Sequence, residues 1–260
     1  MNNNNFFKKN TLVILLLFMH AMPVWAQDGY YSTKVTPKEQ AIFAFFRASG
    51  EPPDYDAWIK SKSAYQDLPE SKKETHLIKE IMRLGQGYGV FDVDTDLIEI
   101  KVNTLSKYIP EKDGKPARIT FKFFNLDNNK TPIFNYKFGN GYISMIINKL
   151  DFFTNLKLSP EKDKVLRDKI PYENDEFDTE LEIHLKISSA DYKNFKMVKD
   201  KKQWFMAGDI AYIKCNFDSY YNQQNYILWD YVAPWHEQAF RIKNMPEEEK
   251  YPHPYDLFKK

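Results

Sequence analysis

The sequence predicts an α+β protein in which short N-terminal helices precede a mainly antiparallel β-sandwich or open barrel. One observation is a change of hydrophobic period, from about 3.6 residues before Gly85-Gln86-Gly87-Tyr88-Gly89 to about 2 after it. Another is that the later apolar runs are joined by short polar turns rather than by helical segments, which favours antiparallel pairing over a parallel sheet. A third is the segment Gly139-Asn140-Gly141 between IFNYKF and YISMII, because Asn-Gly favours the type I′ turn that closes a hairpin.

In the helical part, Thr36-Pro37-Lys38-Glu39 is a capping box with proline at the first helical position. Ala41, Ile42, Phe45 and Phe46 follow at helical spacing, so the first helix is expected over 37–48. After Pro52-Pro53, Asp54 is an N-cap for a stretch whose apolar face is Tyr55, Trp58, Ile59 and Tyr65. Ser71-Lys72-Lys73-Glu74 repeats the capping-box chemistry, with Leu77, Ile78, Ile81 and Met82 as the apolar face and Gly85 as the C-cap. Three short helices are expected, and the glycines then open a strand.

Ile98, Ile100 and Val102 alternate with polar residues, as do Ile119, Phe121 and Phe123, and the residues from 118 to 148 are expected to form a meander. Ser159-Pro160-Glu161 starts a short helix ending near Arg167. A second block of strands runs through 181–187, 195–198, 203–206, 209–217 and 225–232. In the last of these both faces are apolar, the pattern of a central strand covered on two sides, until Pro234 ends the ladder. Residues 244–260, with three prolines and Glu247-Glu248-Glu249, read as an extended tail.

The chain begins with an export pattern. Lys8 and Lys9 precede a short apolar core from Thr11 to Met19, and Val24-Trp25-Ala26 offers small residues to a signal peptidase, with cleavage after Ala26. The apolar run is too short to span a bilayer. The organisation expected is therefore a signal peptide over 1–26, a helical portion over 27–90 packed on a β domain over 91–243, and a tail over 244–260. The address is periplasmic or secreted, in a bacterial cell envelope.

Lys and Arg total 37 against 36 Asp and Glu. Arg47, Arg83, Arg118, Arg167 and Arg241 are the only arginines, so there is no basic stripe suited to phosphate recognition and nucleic acid is not an expected partner. The single cysteine, Cys215, cannot form an intrachain disulfide; it lies on the apolar side of AYIKCNF and reads as a buried small hydrophobe.

Asp92, Asp94 and Asp96 alternate and could converge on Ca²⁺, the one cofactor the sequence raises. An EF-hand also needs a mid-loop glycine and a terminal glutamate, and Leu97 and Asn103 stand there instead. The other reading has the aspartates capping the turn between helix and strand. The Gly85, Gly87 and Gly89 run follows a helix instead of a strand, the reverse of a dinucleotide-binding loop. His76, His184, His236 and His253 form no HExxH, and there is no GxSxG elbow. No catalytic residue is assigned. The candidate binding residues are Trp235 and His236, just past the last strand, and Tyr220 and Tyr221, just before it, because loop-borne aromatics make recognition surfaces. The expected function is an exported cell-envelope binding or accessory protein, holding a protein, peptide or glycan without catalysis. The alternatives are an envelope hydrolase whose carboxylate or His-carboxylate site assembles only in the fold, and an assembly subunit that pairs strand edges.

Overall fold

The computed structural model describes residues 35–123, 132–167, 176–219 and 224–245. The signal peptide expected over 1–26, Tyr220 and Tyr221, and the part of the expected tail beyond Met245 lie outside these residues. Four helices come first: α1 (Pro37–Ser49), α2 (Tyr55–Lys60), α3 (Ser63–Gln66) and α4 (Glu70–Val90). The capping box at α1 forms as expected, the Thr36 hydroxyl accepting from the Glu39 N–H and the Glu39 carboxylate accepting from the Thr36 N–H. That carboxylate, almost fully buried, also receives Arg83 of α4 at 2.6 and 3.1 Å and Lys62 at 3.0 Å. One acid thus starts a helix and ties it to two other segments.

Helix α4 differs from the expectation. It begins at Glu70, upstream of Ser71, and does not stop at Gly85 but runs through all three glycines to Val90. Packing decides this. A Cβ at Gly87 would lie 2.6 Å from Val35 Cγ2 and 3.1 Å from Phe43 Cε2, so the glycine lets α4 approach α1, and that contact offsets the roughly 1 kcal/mol that glycine costs a helix.

The strands are β1 (Ile98–Ile109), β2 (Arg118–Phe123), β3 (Ile133–Phe138), β4 (Gly141–Ile147), β5 (Asn155–Lys157), β6 (Glu176–Val198), β7 (Lys201–Ser219) and β8 (Gln224–Val232). A 3₁₀ turn, Leu150–Phe153, and helix α5 (Pro160–Arg167) interrupt them, and α6 (Glu237–Asn244) follows them. They form one open sheet in the order β3-β4-β7-β6-β1-β2-β5, with β8 added on β7; every pairing is antiparallel except β4 with β7. Strand β7 is shared: β4 pairs Lys202–Gly208, and β8 takes the same edge from Tyr212 to Ser219.

Three expectations are corrected. Residues 118–148 are not a meander, because β2 pairs with β1 and β5 while the β3–β4 hairpin docks on β7 at the other side of the sheet. The hairpin turn is Gly139-Asn140, with left-handed φ at Gly139 alone (53°), the pattern of type II′ rather than I′. The segments 195–198 and 203–217 belong to two long strands, β6 and β7, which bend at bulges instead of ending.

The sheet curls. Phe121 on β2 and Trp229 on β8 have ring centroids 5.4 Å apart although three strands separate them, where a flat sheet would hold those two strands roughly 19 Å apart. Its inner face carries Ile98, Ile119, Leu181, Ile183, Leu185 and Ile213 as core, with α1 lying against β6, β1 and β3. Cys215 is fully buried there, and burial pushes its thiol up to about 12. Helix α5 is tied to β1 through Tyr108, whose hydroxyl donates to Asp163 and accepts from Arg167 at 3.0 Å.

Strand β8 is also corrected, from a central strand to an edge strand: β7 is its sole partner among the described residues. A bulge explains the misleading pattern. Cys215 opposes Trp229 and Asn216 opposes Ile227, so Leu228 is the extra residue. The neighbours Leu228 and Trp229 are consequently both buried, at 6% and 5% exposure, while Ile227 stays 52% exposed.

No helix among the described residues is long and apolar enough to cross a membrane.

Candidate functional site

Trp235 and His236 occupy the turn between β8 and α6. The Ala233 N–H bonds to Ala211 O at 2.9 Å and the His236 N–H to Ala233 O at 2.8 Å, which fixes where the turn leaves the sheet. The indole of Trp235 is 53% exposed. The imidazole of His236 lies between it and Phe240, at centroid distances of 5.5 and 6.4 Å, and Phe240 seats α6 on Tyr212 of β7 at 4.7 Å.

Beside this seat is a polar pair that the sequence placed on the solvent side of β6 but did not join. His184 Nε2 is 2.8 Å from Glu182 Oε1, while Lys214 Nζ is 2.9 Å from Glu182 Oε2. Burial raises the Glu182 carboxyl, yet the bonds from His184 and Lys214 outweigh it and hold it below the ordinary value. Both carboxylate oxygens are engaged, so this is the arrangement of a structural ion-pair network. Burial, followed by the nearby His184 and Lys243, pushes His236 below the usual imidazole range.

The three aspartates make a turn that caps itself. The Asp94 N–H donates to Asp92 Oδ1 at 2.9 Å and the Asp92 N–H donates to Asp96 Oδ2 at 2.9 Å. The Asp94 N–H, with Thr95 adding to it, lowers the Asp92 carboxyl. Among the described residues no group of three His, Cys, Asp or Glu side chains is placed to hold a metal.

The feature that sequence reasoning missed is the far end of the β6–β7 hairpin. β1 accompanies β6 only as far as Leu185, and beyond that point β6 and β7 continue to a two-residue turn at Lys199-Asp200. Both turn residues have left-handed φ, 47° and 61°, the type I′ geometry usually taken by Asn-Gly. A bulge at Asp191–Lys196 is held by the Asp191 carboxylate, which accepts from the N–H groups of Lys193 and Asn194 at 2.9 and 3.1 Å.

Two clefts flank this end. One, about 340 Å³, is lined by Glu51, Tyr192, Lys193, Phe195, Lys202 and Trp204. Its wall is built by Trp204, which donates to Tyr192 O at 2.9 Å and stacks on the Tyr192 ring at 5.5 Å. The other, about 300 Å³, is lined by Asn135, Tyr142, Val198, Lys199, Lys201 and Gln203. There Gln203 donates to Ser144 Oγ and Ser144 to Asn135 Oδ1, at 2.7 and 2.6 Å, which leaves the amide groups oriented by a fixed chain. Lys201 lies over Tyr142 at 5.4 Å and Lys202 over Phe195 at 4.8 Å. The signal was visible as lysine interleaved with aromatic residues in YKNFKMVKDKKQWF, but a strand pattern assigns such aromatics to core.

Compared with known proteins, the chain matches no family model, no curated protein and no solved structure.

Proposed function

We propose that the protein is an exported, non-catalytic binding or accessory module of the cell envelope, periplasmic or secreted. It holds a protein, peptide or glycan partner in the clefts at the end of the β6–β7 hairpin. The observation that carries this reading is the lining of those clefts: aromatic rings beside lysine ammonium groups, on both sides of one pair of strands. Rings supply apolar area at little entropy cost, and lysines select a partner that bears acidic groups. The export pattern at residues 1–26 supports the address.

A hydrolase would draw on the His184–Glu182 pair, but a general base needs a free acceptor within reach of substrate, and Glu182 already accepts from His184 and Lys214. The test is calorimetric titration with acidic and neutral oligosaccharides and peptides, repeated with Trp204→Leu and Tyr142→Ala. Binding of an acidic ligand that either substitution weakens supports the module. Turnover of a model envelope substrate without such binding overturns it.

A further inference from the structure

We infer that the tip of the β6–β7 hairpin docks the protein on an anionic lipid leaflet. The inference takes from the reading above the choice of this hairpin as the contact region and shares Lys193, Phe195, Val198, Lys199, Lys201 and Lys202 with the cleft linings, but its ligand is a lipid surface.

Phe195, Met197 and Val198 are 43%, 59% and 46% exposed, three large apolar side chains within four positions. A soluble strand end has no need to show that much apolar surface at one place. Lys193, Lys196, Lys199, Lys201 and Lys202 surround them. Among the described residues Lys193 approaches a carboxylate only at 3.9 Å, from Glu51, and the other four pair with none. Asp191, which accepts within the bulge, and Asp200 of the turn are outnumbered by the five lysines, so the tip carries a net positive charge. Three of the lysines lie over rings, Lys196 over Phe205 at 5.6 Å as well as the two pairs already described. Apolar stems and rings below an ammonium group are the layout of side chains at a lipid headgroup boundary.

Topology separates a leaflet from other occupants. Lys196 pairs with Gln203 and Val198 with Lys201, whereas Met197 pairs with Lys202 between them, so successive residues face opposite sides of the ribbon. Apolar and cationic side chains therefore project from both faces. A protein or glycan lying on one face would meet only half of them. A leaflet entered tip-first meets side chains of both faces, with the apolar ones at the acyl boundary and the ammonium groups among the phosphates. The turn extends past Gly141, the β4 residue opposite Lys202, by Lys201 and the two turn residues.

The test is co-sedimentation of the protein, purified as its host processes it, with phosphatidylcholine vesicles with and without phosphatidylglycerol. Binding is expected only with phosphatidylglycerol and should weaken as salt rises. Lys199→Gln and Lys201→Gln should each weaken it about fivefold. Met197→Asp with Val198→Asp should abolish it; both sites are exposed, and an unchanged circular dichroism spectrum verifies the fold. Ile78→Ser, at an exposed position on α4, should leave it unchanged. Equal binding to neutral vesicles, or anionic binding untouched by the tip substitutions, overturns the inference. So does a protein that binds an acidic glycan or peptide through its clefts but no vesicle, and in that case the cleft reading survives. Tip-dependent vesicle binding with no cleft ligand leaves the docking inference standing and removes the other.

Discussion

Replacing Glu39 by Gln tests whether one buried acid holds the helical part together. Its carboxylate caps α1 at Thr36 and receives Arg83 and Lys62 from outside that helix. Burial raises its pKa, but the bonds from Arg83, the Thr36 N–H and Lys62 outweigh that and bring it from 4.5 to about 2. At 1.36 kcal/mol per pH unit, the shift corresponds to roughly 3 kcal/mol at neutral pH. Because the folded-state pKa is depressed, this stability is fully present above pH 4.5 and is lost as pH falls toward about 2. By the same linkage it shrinks to roughly 1 kcal/mol at about pH 3. Arg83 keeps Glu80 in the variant, at 2.9 Å, so the cation is not stranded and the cost stays near the lower end for a broken buried pair. Thermal unfolding at pH 7 should show Glu39→Gln melting about 6–12 °C below the parent, and urea unfolding should give the free energy directly. Loss of less than about 0.5 kcal/mol, or a deficit that persists undiminished at low pH, would refute the assignment of the stability to the ionised carboxylate.

Other outcomes follow from single contacts. Gly85→Ala and Gly89→Ala meet open space inside α4 and should each raise stability by about 0.5–1 kcal/mol, whereas Gly87→Ala must displace Val35 and Phe43 and should lower it by about 1–2 kcal/mol; urea midpoints distinguish them. Replacing Lys199-Asp200 by Asn-Gly relieves two left-handed non-glycine residues and should stabilise the fold by about 1 kcal/mol in the same measurement. His236 has a folded-state pKa below 6.5, so its contribution to stability is complete above that pH and declines below it; His236→Gln should flatten this limb of the stability–pH curve, and NMR titration of the ring reads the pKa itself.

The parts of the fold legible in the sequence were those coded by neighbours. The capping box at Thr36 and Glu39, the alternation in β1, β2 and β6, and the burial of Cys215 all appear where the local pattern puts them. Misreadings fell where a contact distant in sequence outweighed a local preference. Glycine signals a helix end unless another helix needs the space, and Val35 and Phe43 need it at Gly87. The two apolar faces of β8 imitated two-sided burial because a bulge turned Leu228 and Trp229 inward together. Trp235 and His236 do lie at an exposed turn, but the polar pair beside them, His184 with Glu182, depends on the register of β6 against β7.

By itself, then, the sequence determined the α+β class, the antiparallel habit of the strands and the isolated thiol. Each follows from composition or from chemistry within a few residues. Only the tertiary structure decided that β4 and β8 share one edge of β7, that the sheet curls until Phe121 meets Trp229, and that the β6–β7 hairpin runs on beyond β1. Pairing partners and twist are set by the whole sheet at once, and a lysine–aromatic strand becomes a surface where a neighbour stops short of it, as β1 does along β6.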